Sequence, residues 1–189
     1  QRLEKGEKAV EGKTNQRIML TKRLLKDSLI QKLKQESIYK ISIRELCEQA
    51  GINRSTFYKY YGNQFDLLRE MEEDMLHHVQ QTLMESGREK TESISGVCAY
   101  LEQNIELSRL LINNNIDPKF PERLFSMPYI RQEIMNTLNS HYGEAEFEYA
   151  SCFLTYGCYH LVRRWINKDE HEPPEKIAAL LMGMIERFI

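Results

Sequence analysis

A chain of 189 residues with 41% hydrophobic content, nine Gly, five Pro and a formal net charge of −2 can bury a real core, and its wealth of Leu, Ile, Lys, Glu, Gln and Met favours helices over sheet or disorder. Its longest mostly apolar runs, Phe153 to Val162 and Ile177 to Ile185, fall short of the roughly 20 residues that cross a bilayer, and no signal-peptide pattern is seen, so a cytoplasmic location is the expectation. The cysteines, Cys47, Cys98, Cys152 and Cys158, lack CxxC pairing and read as reduced core residues, while the adjacent His77 and His78 have no HExxH around them; neither a metal nor a cofactor is expected.

The charge is unevenly spread. Residues 13–64 hold seven Lys and four Arg against one Asp and three Glu, a surplus of seven; residues 1–12 balance, so residues 65–189 carry nine net negative charges. A basic segment joined to an acidic one is the asymmetry of a chain in which one part meets a polyanion. A solvated helix face would account for the charge, but not for the motif inside it.

Residues 1–17 are polar, contain two Gly and have no sustained apolar stripe, which predicts a flexible arm. From Thr21, Leu25, Leu29 and Leu33 recur every four residues, with Leu24 and Ile30 widening the stripe, and predict a first helix ending near Ser37. Ser42 and Glu45 form a capping box and Gly51 supplies a left-handed stop, so a second helix is short. Asn53 is placed to cap a third helix reaching about Tyr61, after which Gly62 breaks the chain and Asn63 caps a fourth. Two short helices joined by "AGIN" outline a helix-turn-helix.

The fourth helix carries Leu68, Met71, Met75, Val79 and Leu83, and the next stripe runs from Ile94 through Val97, Cys98 and Leu101 to Ile105. "NNNIDPKFPERLFSMPYI" reads as a loop with short helical pieces, followed by a helix over Ile130 to His141. The helix predicted over Glu144 to Asn167 has Phe147, Ala150, Leu154, Cys158, Leu161 and Trp165 on one stripe, with Tyr149, Phe153 and Tyr156 on a neighbouring face; the last helix opens at "EPPEKI". Both have wider apolar cover than one core contact requires. That predicts a homodimer joined through Phe153, Trp165, Ile177, Leu181, Met184 and Phe188, with purely intrachain packing as the alternative. These signals divide the chain into an arm over 1–17, a helix-turn-helix head over 18–64 and a helical remainder over 65–189.

In a helix-turn-helix the second helix enters the major groove. In "NRSTFYKYY", Phe57 and Tyr61 are four apart and face the core with Leu46 and Ile52; Arg54, Ser55, Tyr58 and Lys59 face outward, with Thr56 and Tyr60 at the flanks. Arg can donate bidentately to guanine, Ser and Thr can bond bases or phosphates, and Tyr hydroxyls and Lys suit phosphate oxygens.

"ISIRELCEQAGINRSTFYKYYGNQFDLL" resembles the DNA-binding signature of the TetR family of bacterial transcription regulators, in its capped short helix, the apolar residue after Gly, the Thr-aromatic-Tyr-x-Tyr-aromatic core and the Leu of the next helix. "YGCYHLVRRWIN" followed by "PPEKIAALLMGMI" resembles the dimerising end of one branch of that family. The resemblance implies an all-α homodimer of about nine helices per chain, with an N-terminal three-helix helix-turn-helix DNA-binding domain over 18–64 and a C-terminal helical bundle for effector binding and dimerisation over 65–189. By the same resemblance Arg44 lies near a base or phosphate, Arg54, Ser55 and Thr56 meet the groove, and Tyr58, Lys59 and Tyr60 meet phosphates or base edges. Two positions depart from the family: Gln64 stands where a Lys is usual, leaving the helix N-terminus to donate in its place, and Ser55 where Gly is favoured.

The implied function is that of a repressor, not an enzyme, released from a palindromic double-stranded operator by a small-molecule effector; the alternative is an activator controlled by a protein co-regulator. Met75, Leu101, Met135, Phe153, Tyr156 and His160 are the pocket candidates, although a plain bundle core would show the same residues. No charge cluster in the sequence suggests a strongly ionic ligand. The pairs Cys158 with His160 and Asp74 with His78 lack an evident oxyanion donor or third orienting group, which argues against catalysis.

Overall fold

The computed structural model describes residues 2–85, 89–113 and 117–188, the side chains of residues 2–14 excepted. Its regular structure among the described residues is ten α-helices and no strand: α1 (Arg2–Leu33), α2 (Ile43–Ala50), α3 (Arg54–Phe57), α4 (Gln64–Met84), α5 (Lys90–Gln103), α6 (Ile105–Ile112), α7 (Phe120–Phe125), α8 (Pro128–Leu138), α9 (Glu144–Ile166) and α10 (Pro174–Phe188). The all-α class agrees with the sequence reading. The stripe from Ile94 to Ile105 is broken at Asn104, whose side-chain amide donates to the Tyr100 carbonyl and ends α5. The proline-rich loop yields α7 and starts α8 because Pro121 and Pro128 sit in first turns, where a missing N–H costs nothing.

The chain divides into two compact units, Gln1–Met71 and Glu72–Ile189, so the division falls inside α4 rather than at its first residue. In the first unit α1 is helical from Arg2 onward, where the sequence reading expects a flexible arm over 1–17. Lys, Glu and Gln are good helix formers, and the two glycines cost only about 1 kcal/mol each against them. Leu25, Leu29, Leu46, Phe57 and Leu67 are fully buried and form the core of this unit with Ile38, Ile41 and Tyr61. Ser28, also buried, donates its hydroxyl to the Leu46 carbonyl at 3.1 Å and ties α1 to α2.

In the second unit α5 packs along α10, α9 against α6, α8 and α10, and α7 between α6 and α8. Trp165 and Ile166 at the end of α9 are buried with Leu111, Leu138 and Ala178. That end is closed from a distance: Arg109 of α6 donates to the Ile166 carbonyl at 2.8 Å and to the Lys168 carbonyl at 3.0 Å, and the Trp165 indole donates to Glu172 O at 2.6 Å. Among the described residues Glu72 is the only charged residue in the buried class, at 3% exposure; its Oε2 accepts from Arg123 Nη1 at 3.0 Å.

Candidate functional site

The Ser42 hydroxyl accepts from the Glu45 amide at 3.2 Å and the Glu45 carboxylate accepts from the Ser42 amide at 3.2 Å, so the box that starts α2 closes in both directions. Hydrogen bonds from Ser42, first its side chain and then its backbone, hold the Glu45 carboxyl below its usual range, with Lys32 adding to the effect. Gly51 adopts φ 66°, ψ 27°, a left-handed geometry that a Cβ disfavours, and Ile52 N donates back to Cys47 O at 2.9 Å. This turn delivers α3 to the surface. Asn53 precedes α3 but does not cap it with its side chain; its carbonyl receives Thr56 N and Phe57 N instead. Regular α-helix ends at Phe57, earlier than Tyr61, and a tight turn carries the chain on, with Tyr60 N and Tyr61 N both reaching Phe57 O.

The aromatic residues divide by environment. Phe57 is fully buried and its ring meets Tyr61 at 5.5 Å between centroids. Tyr58 is half exposed and stands edge-on to Phe57, while Arg54, Ser55 and Lys59 are exposed and Thr56 is intermediate. Tyr60 is less free than the sequence suggests: it is half-buried, with Lys22 Nζ 5.9 Å from its centroid. Lys22 and Lys26 of α1 clasp Glu70 of α4 at 2.8 and 2.7 Å, and the Tyr61 hydroxyl donates to the same carboxylate at 3.1 Å. Burial alone would raise the Glu70 pKa, but the hydrogen bonds and charges of the two lysines outweigh it and hold the carboxyl low. Two of the basic residues counted in the sequence are thus engaged inside the unit.

Arg44 is exposed on α2 and pairs loosely with Glu48 at 3.6 Å. Gln64 turns its amide toward the Ile38 carbonyl, at 3.4 Å. The N-terminus of α4 is already occupied: Asn63 Oδ1 accepts from the Phe65 and Asp66 amides at 2.9 and 3.0 Å, and the Asp66 carboxylate accepts from Gly62 N at 3.0 Å. Those amides are turned to the chain itself, and a carboxylate stands where an anion would dock. Sequence reasoning missed Tyr39. It is 81% exposed with its ring on Phe65, 5.3 Å away, and followed by exposed Lys40; a lone aromatic between elements has no periodicity to classify it.

The second unit holds a pair of adjoining chambers that share lining residues. Its outer chamber, about 640 Å³, is lined by residues of α4, α5, α7, α8, α9 and α10, among them Ser93, Tyr129, Thr137 and Thr155, with the Lys90–Glu133 pair at 2.6 Å. Its inner chamber, about 190 Å³, is lined by Met75, Val79, Leu101, Phe120, Leu124 and other apolar residues; Leu83, Ile94, Phe125, Ile130, Cys158 and Ile185 line both chambers. Of the six pocket candidates, Met75 and Leu101 line the inner chamber. Met135, Phe153 and Tyr156 are exposed and line neither chamber, while His160 borders an open depression with Asn113, Arg163, Arg164, Asn167 and Lys168. Helical spacing marks which residues share a face, not which face opens on a cavity built from six helices.

Of the residues assigned to a partner copy, Trp165, Ile177 and Leu181 are buried within the chain itself. Phe153 is 66% and Met184 50% exposed; Phe188 is intermediate and stacks on Phe153 at 4.9 Å. Tyr149, Tyr156 and Leu180 extend this exposed apolar face of α9 and α10.

Burial pushes the Cys158 thiol up to about 11, and His160 is exposed beside it in sequence. Asp74 and His78 lie exposed one turn apart on α4, where His78 stacks on Tyr100 at 3.8 Å. Among the described residues no three His, Cys, Asp or Glu side chains are grouped to hold a metal ion, and no helix is long and apolar enough to cross a membrane.

Residues 88–187 match the family model described as a transcriptional regulator C-terminal region. An uncharacterized HTH-type transcriptional regulator of Bacillus subtilis (strain 168), YxbF, is 19% identical over 86% of this chain; the chain spans 44% of that relative's length. Among solved structures, a TetR transcriptional regulator from Streptococcus agalactiae 2603V superposes with a TM-score of 0.68 at 20% identity, covering 91% of this chain and 97% of its own. The dihydroxyacetone kinase operon activator DhaS superposes with a TM-score of 0.55 at 13% identity, covering 89% and 96%.

Proposed function

The chain belongs to the TetR family of transcriptional regulators, and from that premise we propose that it is a cytoplasmic homodimeric repressor that leaves a pseudo-palindromic operator when a small molecule enters the bundle. The observation that carries the DNA-reading half is the division between inward and outward residues along α3 and the turn that follows it. Phe57 is locked in the core while Arg54, Ser55, Tyr58 and Lys59 are presented to solvent. In this reading Arg54 and Ser55 read base edges, Thr56 borders the groove, Tyr58 and Lys59 hold phosphates, and Arg44 joins them from α2. Tyr60 and Gln64 make weaker contributions, since one lies beside Lys22 and the other leans on Ile38.

Two copies joined through Phe153, Met184 and Phe188, with Tyr149, Tyr156 and Leu180 around them, would present two recognition helices to successive major grooves about 34 Å apart. The two-chamber cavity supports the ligand-gated reading, because a preformed, mostly apolar space of this size with a few hydroxyls is what a small-molecule site requires. The ligand shifts the population toward dimers that no longer fit the operator, and it can do so only by binding those dimers better. The activator reading, with a protein co-regulator, draws on the likeness in fold to DhaS, itself an operon activator, and predicts a co-regulator captured on the bundle instead of a ligand within it.

The test is selection of bound duplexes from a random pool, followed by gel shifts on the selected operator. Arg54→Ala should cost roughly 1–3 kcal/mol and relax preference at one base pair per half-site, while Lys59→Ala should weaken all sequences alike and reduce the salt dependence. Full binding by both variants would sink the assignment.

A further inference from the structure

We propose that the ion pair between buried Glu72 and partly exposed Arg123, whose side chains are 4% and 35% exposed, is the restraint through which occupancy of the inner chamber acts on α4; this rests on the ligand-gated reading above. The two walls of that chamber that matter here are α4, which contributes Met75, Leu76, Val79 and Leu83, and α7, which contributes Phe120, Leu124 and Phe125. The same two helices are joined at one end by Arg123 Nη1 on Glu72 Oε2, at 3.0 Å. Asp117, just before α7, braces the arrangement: its Oδ2 lies 3.4 Å from Arg123 Nη1 and its Oδ1 accepts from Lys119 N at 2.8 Å.

Solvent at the partly exposed Arg123 screens the attraction, so the pair contributes little net stability, yet removing Arg123 alone would strand the buried Glu72 carboxylate at a high cost. Such a pair is therefore poorly explained as cement and well suited to holding two elements in one of two arrangements. Arg123 Nη2, buried with no hydrogen-bond acceptor among the described residues, leaves the pair short of full satisfaction. The inner chamber, at about 190 Å³, is small. A ligand body larger than that volume would be accommodated by parting α7 from α4, two walls that this pair links. Glu72 is also the first residue of the second unit, on the helix that runs on from the first. Part of the ligand's binding free energy is thus spent on opening the pair, which lowers apparent affinity and couples filling of the chamber to α4.

The experiment uses N-phenyl-1-naphthylamine, a neutral apolar fluorophore, as the probe, with the full chain and the double variant Glu72→Gln, Arg123→Met. The double variant removes both charges together and avoids the stranded carboxylate that Arg123→Met alone would leave. The restraint predicts that the probe binds the double variant about fivefold or more tightly than the wild type, at the low end of ordinary couplings. It also predicts that saturating probe speeds amide hydrogen exchange at 72–76 and 120–125 in the wild type, and that the double variant exchanges fast at both segments before probe is added. Equal affinity, with unchanged exchange at both segments, overturns the restraint while leaving the cavity reading intact. Failure of the probe to bind the wild type, or binding indifferent to a chamber-filling Val79→Trp, overturns the cavity reading and this proposal with it. Should the double variant fail to fold, the wild-type exchange response decides alone: no acceleration at 72–76 overturns the restraint.

Discussion

The two units close their helices differently. In the first, each cap comes from next door: Ser42 with Glu45, Gly51 with Cys47 and Glu48, Asn63 with Phe65 and Asp66. In the second, Asn104 on Tyr100 and Gly143 on Glu146 are local too, but the end of α9 is closed mainly from afar, by Arg109 of α6 and by Asn113 on Asn167, over separations as long as 59 residues. The helix ends of the first unit are thus set locally, while longer-range contacts such as Ser28 on Leu46 and the two lysines on Glu70 join its helices. The long-range bonds of the second unit tie α6 to the end of α9.

The largest test of this contrast is Phe57→Ala. Emptying a fully buried aromatic site costs about 3–5 kcal/mol. The loss should fall on the head's urea transition, followed by circular dichroism, while Trp165 fluorescence, the only tryptophan signal, reports the second unit unchanged. Equal shifts in both signals would break the contrast. Next is Arg109→Met, which strips two charge-assisted hydrogen bonds from carbonyls at the end of α9; about 1.5–3 kcal/mol should be lost in the Trp165 transition and none in the head. Ser42→Ala, removing a purely local cap, should cost about 1 kcal/mol in the head alone.

The smallest effect is acid sensitivity. Because Glu45 is held below its ordinary value of 4.5, its contribution is fully present above that value and is lost as pH falls through the lower folded-state pKa. The melting temperature of the head should therefore fall below pH 4.5. Ser42→Ala, lacking the largest cause of the shift, should show a flatter fall over the same range.

The same contrast explains what the sequence could reveal. The capping box, the Gly51 stop, the Asn63 cap and the inward positions of Phe57 and Tyr61 were legible because each is written within a few residues. The start of α1 was not, since a weak apolar stripe reads as disorder. The engagement of Lys22 and Lys26 by Glu70 escaped a count of charges, because the acid lies more than forty residues further on. Periodicity placed Trp165, Ile177 and Leu181 on apolar stripes, but whether such a stripe meets its own chain or another depends on neighbours in space. For the cavity, six helices supply the lining, and only Met75 and Leu101 of the named residues face it.

The cysteines add a practical consequence. Burial pushes the thiols of Cys47, Cys98 and Cys158 upward, the last two to about 12 and about 11, so near neutral pH they stay protonated and slow to react. Cys152 stands exposed beside Phe153 on α9. The native chain therefore carries one readily addressable thiol, set on the face assigned to a second copy. Its alkylation rate against protein concentration would footprint that face without altering a single residue.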